Sequence, residues 1–378
     1  GPGAPAQQEP ADLPEAPVST EPESVPGPAP EEPAPAVQVR TDLLDVSIAT
    51  RGGTLRGLGL LDYPVSHDEP DQPVRLLRRE PGRIFVADSG LLADRAQATH
   101  HVRFTAPRQE YELAAGAESL RVPLTWTSPE GIRVTKTYTF HRDSYLVDVS
   151  FRVENPEGGE PWRGRPYGQF LRTPPGPEES STFIYTYTGA VFHSEEFRYD
   201  KVDFGDMDSE DFSRDMKGGW VAMIQHYFGA AWLPPGEATN HYYTKALPGE
   251  RYVAGVVGPT VEVAPGTSGE LTLRLYAGPK EQERLDAAAP GLELTVDYGF
   301  LTLIADPLYW LLDLIHGLVG NWGWAIVVLT ILIKLAFYRL SAASYRSMAR
   351  MKKLTPKLQA LKERYGDDKQ RLNQAMMD

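Results

Sequence analysis

The residues best suited to acid–base or metal chemistry form two short clusters. His100 is followed directly by His101, and His193 lies shortly before Glu195 and Glu196. Neither cluster has the spacing of a recognisable catalytic or metal-ligand motif. If these segments are strands, adjacent side chains point to opposite faces of the sheet and do not converge on one substrate or ion. The sequence therefore predicts no catalytic residue, no metal site and no cofactor.

One cation is unusual because of its surroundings. Lys334 is the only charged residue in an apolar segment of 17 residues, Trp322 to Tyr338. A charge inside a membrane span is costly unless it faces protein or water, so Lys334 predicts a functional role within the membrane. The alternative is that Lys334 extends along its helix to the membrane surface, about one turn away. The residues alone leave both interpretations open.

The segment around this lysine predicts a transmembrane helix over residues 321–340. With its flanks, the apolar run reaches about 20 residues, enough to cross roughly 30 Å of hydrocarbon. Trp322 and Trp324 at one end, and Tyr338 and Arg339 at the other, are typical membrane-interface anchors. A helix buried in a soluble core fits this composition less well.

Basic residues follow the predicted span. From Arg339 to Asp378 there are ten Lys/Arg and four Asp/Glu, although the whole chain has a net charge of −13. This asymmetry predicts that the tail from about residue 341 is cytoplasmic and that residues 1–298 are periplasmic. Such an acidic body argues against specific nucleic-acid binding. The basic side chains predicted to contact a partner are Arg346, Arg350, Lys352, Lys353 and Lys357.

Residues 341–378 also carry a coiled-coil pattern. Apolar residues are spaced alternately by three and four positions, which is typical of a coiled-coil seam. Thr355-Pro356 predicts a new helix start, and Gly366 predicts a break. We expect the first part of a cytoplasmic helical hairpin, whose charges would also suit a ribosome. The residues of the seam are Met351, Leu354, Leu358, Leu361 and Tyr365.

Upstream of the membrane segment the composition is that of a linker followed by a β domain. Residues 1–38 are rich in proline and acidic residues and predict a disordered linker. Residues 39–279 alternate apolar and polar side chains, as in Ile132–Phe140 and Tyr145–Val153, and predict a mainly β sandwich of two large sheets. The chain has no cysteine, so this domain contains no disulfide.

Two helical connections join this domain to the span. Residues 280–298 predict a short helix and a connecting segment. Residues 299–320 predict an amphipathic helix that starts at Asp306-Pro307 and carries an apolar stripe from Leu308 to Val319. Next to a membrane span, such a helix would lie in the membrane interface.

Several stretches together resemble the YidC family of membrane protein insertases, in its Gram-negative form with a large periplasmic domain. The match extends from about Val39 to Asp378. Near the N-terminal end of the β domain it rests on VRTDLLDVSIATRGGTLRGLGLLDYP. In the C-terminal part it rests on LTVDYGFLTLIADPLYWLL, HGLVGNWGWAI, SAASYRSMARMKKL and RYGDDKQRLNQAMM.

The resemblance implies a fold and a function. The β domain would be a periplasmic super-sandwich similar to galactose mutarotases, and the complete protein would have a membrane helix before residue 1 and further helices after residue 378. The family inserts nascent membrane proteins into the lipid bilayer of the bacterial inner membrane, alone or with the Sec translocon. It uses a hydrophilic groove and neither nucleotide nor cofactor.

Two residues depart from the family pattern. Lys334 stands where the family usually has the arginine of the groove, which favours the groove interpretation but removes the bidentate fork of a guanidinium. Arg339 stands where the family commonly has proline, which predicts a straighter connection into the cytoplasmic helix. Two alternatives remain: a membrane-tethered carbohydrate-binding or carbohydrate-processing domain, and a single-span scaffold.

Overall fold

The computed structural model describes residues 12, 14, 36–66, 68–176, 187–197, 199–236, 238–296 and 302–365. The chain divides into two compact units, Gly1–Val296 and Asp297–Asp378. The first contains the β domain and the second contains the C-terminal helices.

Among the described residues, eleven strands form the first sheet of the β domain. They are β1 (Ala36–Arg40), β2 (Leu44–Ala49), β3 (Leu55–Ser66), β4 (Glu69–Glu80), β5 (Arg83–Ala93), β6 (Glu110–Glu112), β10 (Trp162–Arg172), β13 (Ser213–Lys217), β16 (Thr239–Leu247), β17 (Arg251–Val257) and β18 (Val261–Val263). The spatial order is β13-β16-β17-β10-β5-β4-β3-β2-β1-β6, and β18 also pairs with β10.

The second sheet has eight strands in the described part of the chain. They are β7 (Ser119–Thr127), β8 (Arg133–His141), β9 (Leu146–Glu154), β11 (Gly189–His193), β12 (Asp200–Val202), β14 (Trp220–Ile224), β15 (Phe228–Leu233) and β19 (Ser268–Pro279). Their order is β12-β11-β14-β15-β19-β9-β8-β7. The central pairs β8–β9 and β9–β19 are antiparallel, whereas β1 and β6 in the first sheet pair in parallel.

The main core lies between the two sheets. In β8 the residues Val134, Tyr138 and Phe140 are buried, and in β9 the alternate residues Val147 to Val153 are buried against them. A second, smaller apolar cluster, which includes Tyr167, Leu171 and Val253, covers the opposite face of the first sheet. The predicted two-sheet β sandwich is therefore confirmed, and the period-two patterns that predicted it are the rows that form its core.

The sandwich begins and ends close to the expected positions. Strand β1 starts at Ala36, slightly before the boundary predicted at residue 39. The described part of this unit contains two helices, α1 (Phe204–Ser209) and α2 (Gln282–Ala288), and a 3₁₀ turn follows at Leu292–Thr295. Within the predicted linker, Asp12 lies against the sandwich, whereas most of residues 1–35 lie outside the described part of the chain.

The second unit contains three helices in its described part, α3 (Thr302–Val319), α4 (Trp322–Ala336) and α5 (Tyr338–Tyr365). Gly320 adopts a φ of 69° after α3, and the Asn321 side chain caps α4 by accepting a hydrogen bond from the Trp324 amide at 3.2 Å. The helix starts predicted at Pro307 and Pro356 are wrong, because both prolines lie inside helices. Proline suits a first turn, but it does not require one there.

The junction of α4 and α5 is bent. Trp322–Ala336 and Tyr338–Ala349 meet at 60°, so the expectation that Arg339 gives a straighter connection is wrong. The cause lies upstream of Arg339. Phe337 leaves the helical conformation at φ −91° and ψ 2°, and its amide donates to both Ile333 and Leu335 carbonyls, which ends α4 without a proline.

None of the described helices has, by itself, the length and apolar character of a membrane span. The bent pair Trp322–Ala336 and Tyr338–Ala349 is long and apolar enough for a span when its two helices are taken together.

Candidate functional site

Lys334 lies in the last turn of α4, and its side chain is exposed. Its neighbours Ile331 and Leu335 are also exposed although they are apolar. The helix ends close by at Phe337, so the ammonium group is near the bend. This places one positive charge on an otherwise apolar helix surface, as the sequence predicts.

Apolar exposure is concentrated in the C-terminal unit. Among the described residues, all but three of the exposed large hydrophobic side chains lie at or after Ile304. Exposed apolar side chains in this number favour contact with lipid or protein over contact with water. On α4 these side chains are Trp322, Trp324, Ile326, Val327, Ile331, Leu332 and Leu335.

The predicted interface anchors lie at the two ends of α4. The ring of Trp322 stacks on His316 of α3, with ring centres 3.8 Å apart and planes 7° apart. Trp324 is exposed in the first turn of α4, and Tyr338 and Arg339 are exposed at the start of α5. The stack holds the end of α3 against the beginning of α4 and so fixes the position of one tryptophan.

The predicted basic contact residues lie along α5. Arg339, Arg346 and Lys352 are exposed. Arg339 and Arg346 are seven residues apart and therefore share a helix face. Arg350, Lys353 and Lys357 belong to the same helix, but their side chains, like those of most of the predicted coiled-coil seam, lie outside the described part of the structure.

The cluster around His193 does not form a site. The His193 ring stacks on Trp220 at 5.1 Å between centres, whereas Glu195 and Glu196 are exposed. Burial lowers the pKa of His193, although the charges of Glu293 and Glu195 oppose the change. His193 is therefore a packing residue that favours its neutral form.

The interpretation of His100 and His101 as divergent neighbours is wrong. They lie in a turn rather than a strand, and their ring centres are 4.1 Å apart. The Nε2 atom of His100 lies 3.0 Å from one carboxylate oxygen of Asp12, and Nε2 of His101 lies 2.7 Å from the other. Burial opposes protonation of His100, but Asp88 and Asp12 together raise its pKa. Sequence reasoning missed this convergence because Asp12 falls in a segment with the composition of a disordered linker.

A buried lysine is the second polar feature to which the sequence assigned no role. Lys136 belongs to the inward row of β8 and is completely buried. Its ammonium group donates to the carbonyl oxygens of Gly52, Gly53 and Ser89 at 2.9, 3.1 and 2.9 Å. Burial lowers the pKa of Lys136 to about 7, although the charge of Asp88 opposes the change. The sequence did offer a sign of this buried lysine, because Lys136 interrupts the otherwise apolar inward-facing residues of β8.

A cleft of about 680 Å³ lies over the polar outer side of β7, β8, β9 and β19. Among the described residues that line it, His141 Nε2 and Asp148 Oδ2 form a hydrogen-bonded pair of titratable groups at 2.7 Å. Both side chains are substantially exposed. A His–Asp pair without a third converging group does not make a recognisable catalytic arrangement.

Comparison with known proteins gives consistent matches. The family described as "YidC periplasmic domain" matches residues 36–311, and the family described as "60Kd inner membrane protein" matches residues 314–378. A relative from Nitrosococcus oceani, named membrane protein insertase YidC, is 53% identical over 90% of this chain and 63% of its own length. A relative of the same name from Thioalkalivibrio sulfidiphilus is 49% identical over 100% of this chain and 68% of its own length.

The chain thus spans less than two thirds of the Nitrosococcus relative. Among solved structures, a galactose mutarotase related enzyme from Lactobacillus acidophilus is similar, with a TM-score of 0.43 and 9% identity over 64% of this chain and 97% of that one.

Proposed function

Because the chain belongs to the YidC family of membrane protein insertases, we propose that it acts in inserting and folding nascent membrane proteins in the bacterial inner membrane. The relatives that match nearly all of the chain are named as insertases. A carbohydrate-binding or carbohydrate-processing domain is not favoured. The proposed activity is non-enzymatic and uses no cofactor, and its partners are nascent chains, the Sec translocon, the ribosome and the lipid bilayer.

The observation that carries the proposal is the exposed cation on the apolar helix. At 1.5 Å per residue, α4 is about 22 Å long, which is shorter than the hydrocarbon core of about 30 Å. The bent continuation into α5 supplies the remaining length, and Lys334 lies just before the bend. We place its ammonium group in a hydrophilic groove, where it would attract acidic segments of a substrate. Lysine supplies the charge but not a bidentate contact.

The other helices take supporting positions in this proposal. Helix α3 lies in the periplasmic membrane interface, held to α4 by the His316–Trp322 stack. The sandwich, with residues 1–298, is periplasmic, and α5 from about residue 341 is cytoplasmic. There it forms the first arm of a coiled-coil hairpin, whose basic side chains contact the ribosome or the translocon.

Insertion by the complete protein that carries this chain tests the groove. It is reconstituted in proteoliposomes, and insertion of a small single-span protein with an acidic translocated segment is measured. We expect Lys334→Ala to lower insertion at least threefold and Lys334→Arg to retain it, because the charge decides the effect. Leu335→Met, a volume-conserving change at the next position, is the matched control.

The outcomes separate the proposals. Insertion that is unchanged in Lys334→Ala would remove the groove role and place Lys334 at the membrane surface. Insertion no better than in protein-free liposomes, with the wild-type protein folded, would overturn the insertase proposal.

Orientation is tested by cysteine labelling of the complete protein, with any cysteine outside this cysteine-free chain replaced by serine. Ser119 is exposed on the sandwich and Ser347 is exposed on α5. With a membrane-impermeant maleimide added to intact spheroplasts, Ser119→Cys is expected to react and Ser347→Cys to react only after permeabilisation. The reverse pattern would overturn the proposed orientation.

A further inference from the structure

The convergence of Asp12, His100 and His101 is not used by the proposed insertase activity. Their nitrogen and oxygen ligand atoms all lie within 4.8 Å of one another. Two imidazole nitrogens and one carboxylate form a donor set that suits zinc and is a poor match for Mg²⁺ or Ca²⁺, which prefer oxygen ligands. We propose that these three side chains form a zinc site that fastens the segment around Asp12 to the sandwich.

The three side chains must adjust their spacing to bind zinc. Around a tetrahedral zinc ion with bonds of about 2.0–2.2 Å, ligand atoms lie about 3.3 Å apart. The Asp12 oxygens are at present 3.0 and 2.7 Å from the two Nε2 atoms. The carboxylate would move outwards by a few tenths of an ångström to admit the ion, and the two imidazole nitrogens, which lie within 4.8 Å of each other, would move to the same spacing. A water molecule would complete the coordination, since Asp12 and His101 are each 25% exposed.

The site is supported by a second layer of hydrogen bonds, as metal ligands usually are. Nδ1 of His100 lies 2.6 Å from the hydroxyl oxygen of Tyr167, and the backbone amide of His100 donates to the same oxygen at 3.0 Å. These contacts direct Nε2 of His100 towards Asp12. The Tyr167 ring fits because Gly90 has no side chain: a Cβ there would lie 2.9 Å from the ring.

The sandwich also holds the backbone of the Asp12 segment. The side-chain amide of Gln169 donates to the Asp12 carbonyl at 2.8 Å, and its oxygen accepts from the hydroxyl of Tyr243 at 2.6 Å. Pro14 is buried. Tyr167, Gln169 and Tyr243 are themselves buried on the face of the first sheet that carries the smaller apolar cluster. These contacts with the first sheet position the Asp12 carboxylate next to the two histidines.

Zinc binding by the full chain tests the inference. Zn²⁺ is titrated in competition with a chromophoric chelator, and we expect one tight site per chain. His101→Ala and Asp12→Asn are each expected to weaken it at least tenfold. His141→Ala and His241→Ala are matched controls, because each removes a histidine from a surface His–Asp pair, at 2.7 and 2.8 Å, without touching the cluster. Mg²⁺ and Ca²⁺ should not compete.

X-ray absorption of the zinc-loaded chain gives a readout independent of affinity. Two imidazole ligands and oxygen ligands are expected in the wild type, and one imidazole in His101→Ala. Near-ultraviolet circular dichroism establishes that each variant is folded. A wild type that binds zinc no better than His101→Ala overturns the proposal, as does tight binding that is unaffected by Asp12→Asn. In either case the cluster is an ion pair that holds the segment without metal.

Discussion

The ammonium nitrogen of Lys136 lies 2.9 Å from the carbonyl oxygen of Ser89, so a hydrogen bond joins β8 of one sheet to β5 of the other through the core. The Gly52 and Gly53 carbonyls complete the set of acceptors. Three donated hydrogen bonds require the protonated amine, whereas complete burial disfavours the charge. Lys136 is therefore a polar crosslink whose contribution to stability depends on pH.

The first prediction concerns this pH dependence. The folded-state pKa of Lys136 is about 7, below its ordinary value of 10.5. Above both values the amine is neutral in both states. As the pH falls from about 10.5 to about 7 the unfolded chain binds a proton before the folded chain does, so folding weakens. We expect the free energy of unfolding to rise between pH 7 and pH 10 in the wild type.

Lys136→Met isolates this effect. It removes the lysine donor from the buried carbonyl oxygens of Gly52 and Ser89, whereas the Gly53 carbonyl keeps the hydrogen bond from the Tyr138 hydroxyl. The variant is expected to destabilise the sandwich by about 2–4 kcal/mol at neutral pH. The difference from wild type should grow towards pH 10 in urea unfolding experiments. Asp88, His100 and Tyr138 are the other titratable groups near the lysine, and they are present in both proteins. A pH-independent difference would contradict the lowered pKa.

The second prediction concerns the turn that supplies two of these carbonyls. Gly52 has a φ of 70°, and a Cβ there would lie 2.2 Å from the carbonyl oxygen of His100. Gly52→Ala should destabilise the domain by more than about 2 kcal/mol, since it adds a backbone clash to a left-handed conformation. Gly82→Ala is the control, because Gly82 has a φ of 76° with nothing within 4 Å. Equal losses in thermal unfolding would show that the clash is relieved.

The sandwich could be predicted because the buried residues of each strand form a pattern within a short stretch of sequence. In β8 and β9 the buried residues alternate along the sequence, so Val134 or Val149 can be assigned to the core without knowing any partner strand. The pairing of β10 with β5 and β17 could not be predicted in this way, since it joins segments far apart in the chain. Alternation fixes which face is buried, whereas strand order depends on the packing of the whole domain.

The same distinction between local and long-range patterns holds for the candidate sites. Lys334 was visible because one charge interrupts an apolar run. The Asp12–His100 contact joins residues 88 positions apart, and no local pattern marks it. Rules based on proline also failed in the helical unit. Pro307 and Pro356 lie inside helices, and the bend occurs at Phe337, which has no special propensity to break a helix.

The third prediction concerns His193. Its ring is half-buried against Trp220, and burial lowers its pKa from the ordinary 6.5 against the opposing charges of Glu293 and Glu195. The folded state resists protonation of His193. The contribution of the neutral ring to the free energy of unfolding should therefore be fully present above pH 6.5 and should decline as the pH falls below it. NMR titration of the ring should give a midpoint below that of a model peptide. His141→Gln provides the assignment control, and a normal or raised midpoint for His193 would contradict the packing role.

The fourth prediction uses tryptophan as a probe of the membrane contact. Trp162, Trp220 and Trp232 are buried in the sandwich, whereas the exposed Trp310, Trp322 and Trp324 belong to α3 and α4. In vesicles with brominated acyl chains, only tryptophans within the bilayer are quenched. We expect substantial quenching of the wild type and loss of most of it when these three exposed tryptophans are replaced by phenylalanine.

The matched control is Trp126→Phe, which alters a partly buried tryptophan of the sandwich and should leave the bromolipid quenching unchanged. Retained quenching in the triple variant would show that the sandwich contacts lipid and would contradict its proposed periplasmic position. Absence of quenching in the wild type would contradict the assignment of α3 and α4 to the membrane. Because large aromatic rings favour the membrane interface, shallow bromine positions should quench Trp322 and Trp324 more strongly than deep ones.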